Sequence, residues 1–271
     1  KDFKLKRIEE WVVTTLQYTQ PLEEDEVEEE FEIAPSSYDH SSEGQPFPDK
    51  PKPSDANAAS AGGAEAAKRY ISCLNPSAAA AQLANLRLVV VPFLGAFVGL
   101  KALNLSGNAI SRIAAGALPR GLHLLNLSRN SISAIEGLRD LTRLRVLDLS
   151  YNRILRIGHG LAGCSSLKEV YLAGNKISEV DGLHRLLKLN VLDVRSNKIS
   201  TTKCIGQLAA NYKCLHAVSL EGNPAQKNVG DEALKKYLVS LLPNLTHYNR
   251  QPVQIGGTDR AAAASSAARL G

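Results

Sequence analysis

The chain has 271 residues, 44% of them hydrophobic but only 5% aromatic, and a net charge of +5. That length fits one large domain or two small ones, and the longest apolar run, "LRLVVVPFLGAFVGL", is too short and too interrupted by arginine and proline to be a membrane span of ~20 apolar residues. Charge is divided: residues 1–60 hold 6 Lys and Arg against 15 Asp and Glu, net −9, while 61–271 hold 26 against 12, net +14, so an acidic arm precedes a basic body.

In chain order, Phe3, Ile8, Trp11, Val12 and Leu16 recur at near-helical spacing, and residues 1–19 read as a short amphipathic helix. Alone such a helix is marginal, so it is expected to dock on the body or on a partner. The stretch "PLEEDEVEEEFE" has eight acids in its last ten residues. Pro, Ser, Ala and Gly then dominate, a composition that buries little. Residues 20–75 therefore read as an acidic, then Pro/Ser/Ala-rich disordered linker, with short helices expected near 66–74 and, more weakly, 76–84. The chain begins with lysine and has no methionine, so it reads as a piece of a longer protein; no export signal is visible.

From residue 100 one pattern recurs: "NLSGNAISRI", "NLSRNSISAI", "DLSYNRILRI", "YLAGNKISEV", "DVRSNKISTT" and the half copy "SLEGNPAQKN". The asparagines Asn108, Asn130, Asn152, Asn175, Asn197 and Asn223 are spaced by 22, 22, 23, 22 and 26. L-x-x-L-x-L-x-x-N-x-I at a period in the 20s is the leucine-rich-repeat signature. A degenerate copy, Leu83, Leu88 and Val91 with Leu86 at the asparagine place, precedes it as a cap. The leucines of x-x-L-x-L point inward and the residues between them face the concave side. Where the chain bends out of the strand, buried backbone groups need partners, and asparagine supplies both a donor and an acceptor on a short stem. Convex segments such as "GLRDLTRL" and "GLHRLLKL" close each coil. After Pro224, "DEALKKYLVSLLPNL" reads as a capping helix with Asp231 as its N-cap and Leu234, Tyr237, Leu238 and Leu241 as its apolar stripe. The fold class is thus an α/β leucine-rich-repeat solenoid with parallel strands on the concave face, short 3-10 or helical convex segments and a C-terminal helical cap. It spans 76–250, with a disordered tail over 251–271.

The stretches "GLKALNLSGNAISRIAAGALPRGLHLLNLSRN", "SLEGNPAQKNVGDEALKKYL" and "KDFKLKRIEEWV" resemble the short, 22-residue leucine-rich-repeat class. That class includes the regulatory subunit of protein phosphatase 1 and the axonemal outer-arm dynein light chain 1, and the likeness is greatest to its plant members. The resemblance implies a cytoplasmic, non-enzymatic adaptor.

Motifs for catalysis are absent: no Walker A loop, no G-x-G-x-x-G after a strand, no H-E-x-x-H and no G-x-S-x-G. Neither the scattered histidines nor Cys73, Cys164, Cys204 and Cys214 form a metal-ligand pattern, so no cofactor or metal is expected and the thiols read as reduced. Candidate partner-binding residues come from the concave register: Leu124, Val146 and Val191 as an exposed aliphatic column beside Tyr151 and Tyr171, flanked by Asn126, Asp148, Glu169, Asp193, Glu221, Arg129 and Arg195. Apolar and aromatic anchors inside a charged rim are the composition of a protein interface. Arg153, Lys176 and Lys198, each directly after an asparagine, form a basic edge for an acidic partner, or for the chain's own acidic arm. No aromatic residues alternate with these cations to stack bases, so nucleic acid is disfavoured.

The sequence reads as a cytoplasmic (alternatively nuclear) monomeric scaffold that binds one protein on its concave face, cytoskeletal or phosphatase-associated. The alternatives are a phosphatase regulatory subunit and the ligand-binding region of a receptor.

Overall fold

The structure, a computed structural model, describes residues 53–253. The helix expected within 1–19, the acidic segment and the tail from 254 lie outside the described residues. Strands of two or three residues recur once per coil: β1 (Ala80–Gln82), β2 (Ala102–Asn104), β3 (Leu124–Asn126), β4 (Val146–Asp148), β5 (Glu169–Tyr171), β6 (Val191–Asp193), β7 (Ala217–Ser219) and β8 (His247–Tyr248). They form one sheet in sequence order, parallel throughout, until β9 (Gln251–Pro252) returns antiparallel to β8. Register follows the repeat: Leu103 pairs with Leu125, Leu125 with Leu147, Leu147 with Val170, Val170 with Leu192. A one-residue slip would turn every inward leucine outward, so the buried face locks the alignment.

Behind the sheet the aliphatic positions stack in columns. Leu105, Leu127, Leu149, Leu172, Val194 and Leu220 are fully buried, as are Ile110, Ile132, Ile154, Ile177 and Ile199 two residues past their asparagines. The asparagines bind the columns together. Asn130 donates through Nδ2 to Leu105 O in the preceding coil and to Leu127 O in its own, both at 3.0 Å, and its Oδ1 accepts from Ile110 N at 3.0 Å. Asn108, Asn152, Asn175, Asn197 and Asn223 repeat that arrangement.

The convex segments are successions of turns with 3-10-type bonds rather than helices, as in Leu141 N to Leu138 O (3.0 Å) and Leu144 N to Leu141 O (3.1 Å). Among the described residues, only the coil whose asparagines stand 26 positions apart has enough chain for a 3-10 helix, Thr202–Asn211.

Two expectations change at the N-terminal end. Helix α1 (Pro53–Cys73) occupies ground assigned to linker through residue 75. Its alanines are strong helix formers, and proline suits a first turn. Ala67 is buried, Tyr70, Ile71 and Leu74 pack on the core, and Gly63 comes so close to the Leu86 carbonyl that a Cβ would not fit. The helix expected at 76–84 is instead β1, whose Gln82 N–H donates to Tyr70 Oη at 3.0 Å. Pairing with β2 outweighs the local preference of its alanines.

At the other end, α2 (Pro224–Asn228) and α3 (Asp231–Leu241) follow the last asparagine. Gly230, not Asp231, is the N-cap of α3. Asp231, the first helical residue, accepts hydrogen bonds from Tyr248 Oη (2.7 Å) and Gln226 Nε2 (2.8 Å), fastening helix to sheet. The parallel register outlasts the sequence period by one strand, since β8 pairs with β7. The β8–β9 turn places both Asn249 and Arg250 at positive φ (48° and 66°), the backbone of a tight two-residue hairpin.

Candidate functional site

The concave face holds a recess of ≈ 420 Å³ over the C-terminal coils, lined in part by Arg129, Asp148, Tyr151, Tyr171, Asp193, Arg195, His247 and Arg250. Of the expected binding residues, Leu124 does not line the recess, and Asn126, Val191 and Asp193 line it while largely buried. Leu124 and Val191 are 3% and 4% exposed. Leu124 packs sideways with Ala80 and Ala102, and half-buried Val146 and Tyr171 close over that row. Strands about 4.8 Å apart bring side chains of successive coils into contact, so the expected exposed aliphatic column covers itself. The expected exposure of Leu124 and Val191 is therefore corrected: both are buried, Leu124 in this packing and Val191 in the recess lining.

Asn126 and Asp193 are also buried, and the cause is local. Asn126 Oδ1 accepts from Ser128 N at 2.9 Å, Asp148 Oδ1 from Ser150 N at 2.8 Å and Asp193 Oδ1 from Arg195 N at 3.1 Å. These are Asx turns that steer the chain out of each strand. Asp193 also holds the Arg195 guanidinium, with Nη2 to Oδ2 at 2.7 Å. Asn126 Oδ1 and both carboxylate oxygens of Asp193 are thus engaged inside the chain.

What remains open is built differently. In β5 the Asx position carries Tyr171, whose hydroxyl donates to Glu169 Oε2 at 2.7 Å. Burial, followed by the carboxylates of Glu169, Asp193 and Asp148, pushes that phenol well above the usual tyrosine range, and Asp148 and Asp193 beside it give the recess an acidic floor. Its rim is cationic: Arg129, Arg195, and Arg250, which pairs with Glu221 at 2.7 Å. His247 and Arg250 come from the strand beyond the repeat period, so no register count pointed to them.

Tyr151 is 57% exposed, with the Arg129 guanidinium 5.7 Å from its ring centroid. Both residues stand directly before an asparagine, where the chain bends with positive φ in every coil: Gly107 (68°), Arg129 (55°), Tyr151 (56°), Gly174 (67°), Ser196 (52°) and Gly222 (75°). Glycine enters that conformation freely and other residues do not. The Tyr151 ring lies where a Cβ on Gly174 would project.

On the other edge, where the chain leaves the strands, Arg153, Lys176 and Lys198 are all exposed. Their backbone N–H groups donate to Ile132, Ile154 and Ile177 of the preceding coils, so they occupy equivalent places in three successive coils. They lie outside the recess. Among the described residues no group of three or more His, Cys, Asp or Glu is placed to hold a metal, and no helix is long and apolar enough to cross a membrane.

The family model described as "Leucine rich repeat" matches residues 98–154, 120–177 and 142–199. An internalin from Listeria monocytogenes has a similar structure, with a TM-score of 0.52 and 22% identity over 70% of this chain and 52% of that one. The chain therefore spans about half the length of the internalin it matches, and the likeness is one of fold. Among curated proteins no sequence matches.

Proposed function

We propose that this leucine-rich-repeat solenoid is a non-enzymatic scaffold that grips a segment of a protein partner in its concave recess. Solenoids of this kind present extended concave surfaces for binding. One observation carries the reading: Arg129 and Tyr151 hold strained left-handed backbone at a position where three other coils use glycine. Strain of this sort persists where the projecting side chain is put to use. The acidic floor around Tyr171 and the aromatic face of Tyr151 suit a partner segment that carries a cationic side chain beside an apolar one. Cytoskeletal and phosphatase-associated proteins of the cytoplasm are the classes we favour, the latter including a phosphatase catalytic subunit regulated by this chain.

The test is affinity purification from the source tissue with the full chain as bait, beside an Arg129→Gly/Tyr151→Gly double variant. That variant removes the side chains and relaxes the backbone, and circular dichroism beside the wild type checks that it is folded. A partner held by the wild type and lost by the variant supports the recess. Equal recovery of all partners by both baits would overturn it and move attention to Arg153, Lys176 and Lys198.

A further inference from the structure

A second surface lies on the flank where the strands begin. His123 N donates to Lys101 O, Arg145 N to His123 O and Lys168 N to Arg145 O, each at 2.8 Å. Lys101, His123, Arg145 and Lys168 therefore occupy one equivalent position in four successive coils. Beside this row runs a groove of ≈ 820 Å³ lined by Lys101, Arg120, Arg139 and Arg143. Its single lining carboxylate, Asp140, is paired with Arg120 at 3.3 Å. Among the described residues no ion pair engages Lys101, Arg139, Arg143, Arg145 or Lys168. Burial, then the charges of Arg145, Lys101 and Arg143, hold the His123 imidazole below its ordinary range. The same groove carries Phe93 and Val98, 72% and 76% exposed.

Uncompensated cations beside exposed apolar side chains select a ligand that is both acidic and apolar. The chain contains one: residues 22–33, "LEEDEVEEEFEI", place Leu22, Val27, Phe31 and Ile33 among eight carboxylates. Helix α1, which leads back toward that segment, packs at Gly63 against Leu86, in the capping coil that also carries Phe93. Residues 34–52 join the segment to α1. A connection of about 20 residues extends to at most ~70 Å and averages ~25 Å as a coil, ample to cross a few coils.

We infer that the acidic segment 22–33 docks in cis on this flank groove, its carboxylates meeting Lys101, Arg139, Arg143 and Arg145 and its apolar side chains covering Phe93 and Val98. The segment then shields the flank from other acidic ligands while the concave recess stays open. The basic edge at Arg153, Lys176 and Lys198, on the far side of the strands, is left free.

Two measurements on the full chain test this. Dilute protein, mixed from ¹⁴N- and ¹⁵N-labelled preparations, is cross-linked with a zero-length carbodiimide and mapped by mass spectrometry. We expect intramolecular links from the acids of 23–32 to Lys101 or Lys168, lost in high salt. The His123 ring is then titrated by NMR in the wild type and in a full-length variant with all eight acids changed to their amides. Its midpoint should fall in the variant. Links confined to Lys176 or Lys198, links joining two copies, or an unchanged His123 midpoint would each overturn the proposal, the last leaving the groove to a separate acidic protein or a nucleic acid.

Discussion

Asn152 Nδ2 lies 3.0 Å from the carbonyl oxygen of Leu127, 25 residues back and one coil away. The same nitrogen donates to Leu149 O at 3.0 Å, and Oδ1 accepts from Ile132 N at 3.0 Å. Asn152→Ala leaves the buried Ile132 N–H without its acceptor and removes one of two asparagine donors from each of Leu127 O and Leu149 O, which keep Asn130 Nδ2 and Asn175 Nδ2. At about 1–3 kcal/mol for an unsatisfied buried group, the variant should lose ~1–3 kcal/mol, read as a lower urea midpoint. A loss under about 1 kcal/mol would show that these bonds are not what couples the coils.

Left-handed backbone costs an ordinary residue roughly 1–2 kcal/mol, so Tyr151→Gly should raise stability, by about 1 kcal/mol or less after the lost ring contacts are counted. The same change should weaken partner binding. Thermal unfolding and binding measured on one preparation would then move in opposite directions. Gly174→Ala tests the ring's support: its methyl group collides with the Tyr151 ring, so binding should fall although no contact residue has changed.

Gly116 and Gly182 both have positive φ, 76° and 71°. A Cβ on Gly116 meets open space, whereas one on Gly182 runs into the Gly158 backbone of the previous coil. Gly116→Ala should cost only the conformational penalty, about 1–2 kcal/mol. Gly182→Ala must also separate two coils and should cost clearly more in urea denaturation.

The thiols should separate by reactivity. Cys164 is fully buried, its Sγ donates to Leu138 O at 3.3 Å, and burial pushes its pKa to about 11. Cys73 is exposed. A thiol reagent at neutral pH should label Cys73 in the native protein and reach Cys164 only at the rate of unfolding, because the thiolate is the reactive form. Fast native labelling of Cys164 would contradict the packing described above.

Alkaline pH should act through Tyr171. Its folded pKa lies above the ordinary value of 10.0, by burial first and then by Glu169, Asp193 and Asp148. The unfolded chain therefore releases this proton first. The stabilisation is complete below pH 10 and is lost as pH rises from there toward the folded value. Tyr171→Phe should flatten that part of the stability profile, and a native absorbance titration should show one late-ionising phenol fewer.

The solenoid was legible because its core is periodic. An inward leucine at Leu103, Leu125 or Leu147 declares itself by spacing alone, and the asparagines follow from the backbone groups they satisfy. The site was legible only in part, because alternation assigns a face and not an exposure. Leu124 and Val146 share one register position, yet Leu124 is buried among Ala80 and Ala102 while Val146 is half-buried. The difference depends on side chains one coil away. Asn126 and Asp193 were read as free polar groups because an Asx turn, a contact over two residues, looks like any other polar position. Helix α1 was hidden by composition, since alanine counted toward a low-complexity linker as readily as toward a helix. The flank row Lys101, His123, Arg145, Lys168 is legible by spacing: it is the residue directly after the first leucine of each repeat, one position before the concave column of Leu124 and Val146.

The column of positive-φ residues has a consequence for how such a chain can change its length. Tyr151 leans on Gly174, and a Cβ added at Gly222 would press on Ser196 as one at Gly107 would press on Asn85. Asn85, Tyr151 and Ser196 each meet a glycine in the coil that follows, whereas Arg129 meets Tyr151 and stacks on its ring. Loss of the coil carrying Gly174 would leave Tyr151 facing Ser196, whose Cβ stands where no room exists. Duplication or deletion of a single repeat, the ordinary way an array grows or shrinks, is therefore not neutral here. For Tyr151 the projecting residue and Gly174 act as one unit, and a change in copy number that carries both coils together avoids the clash.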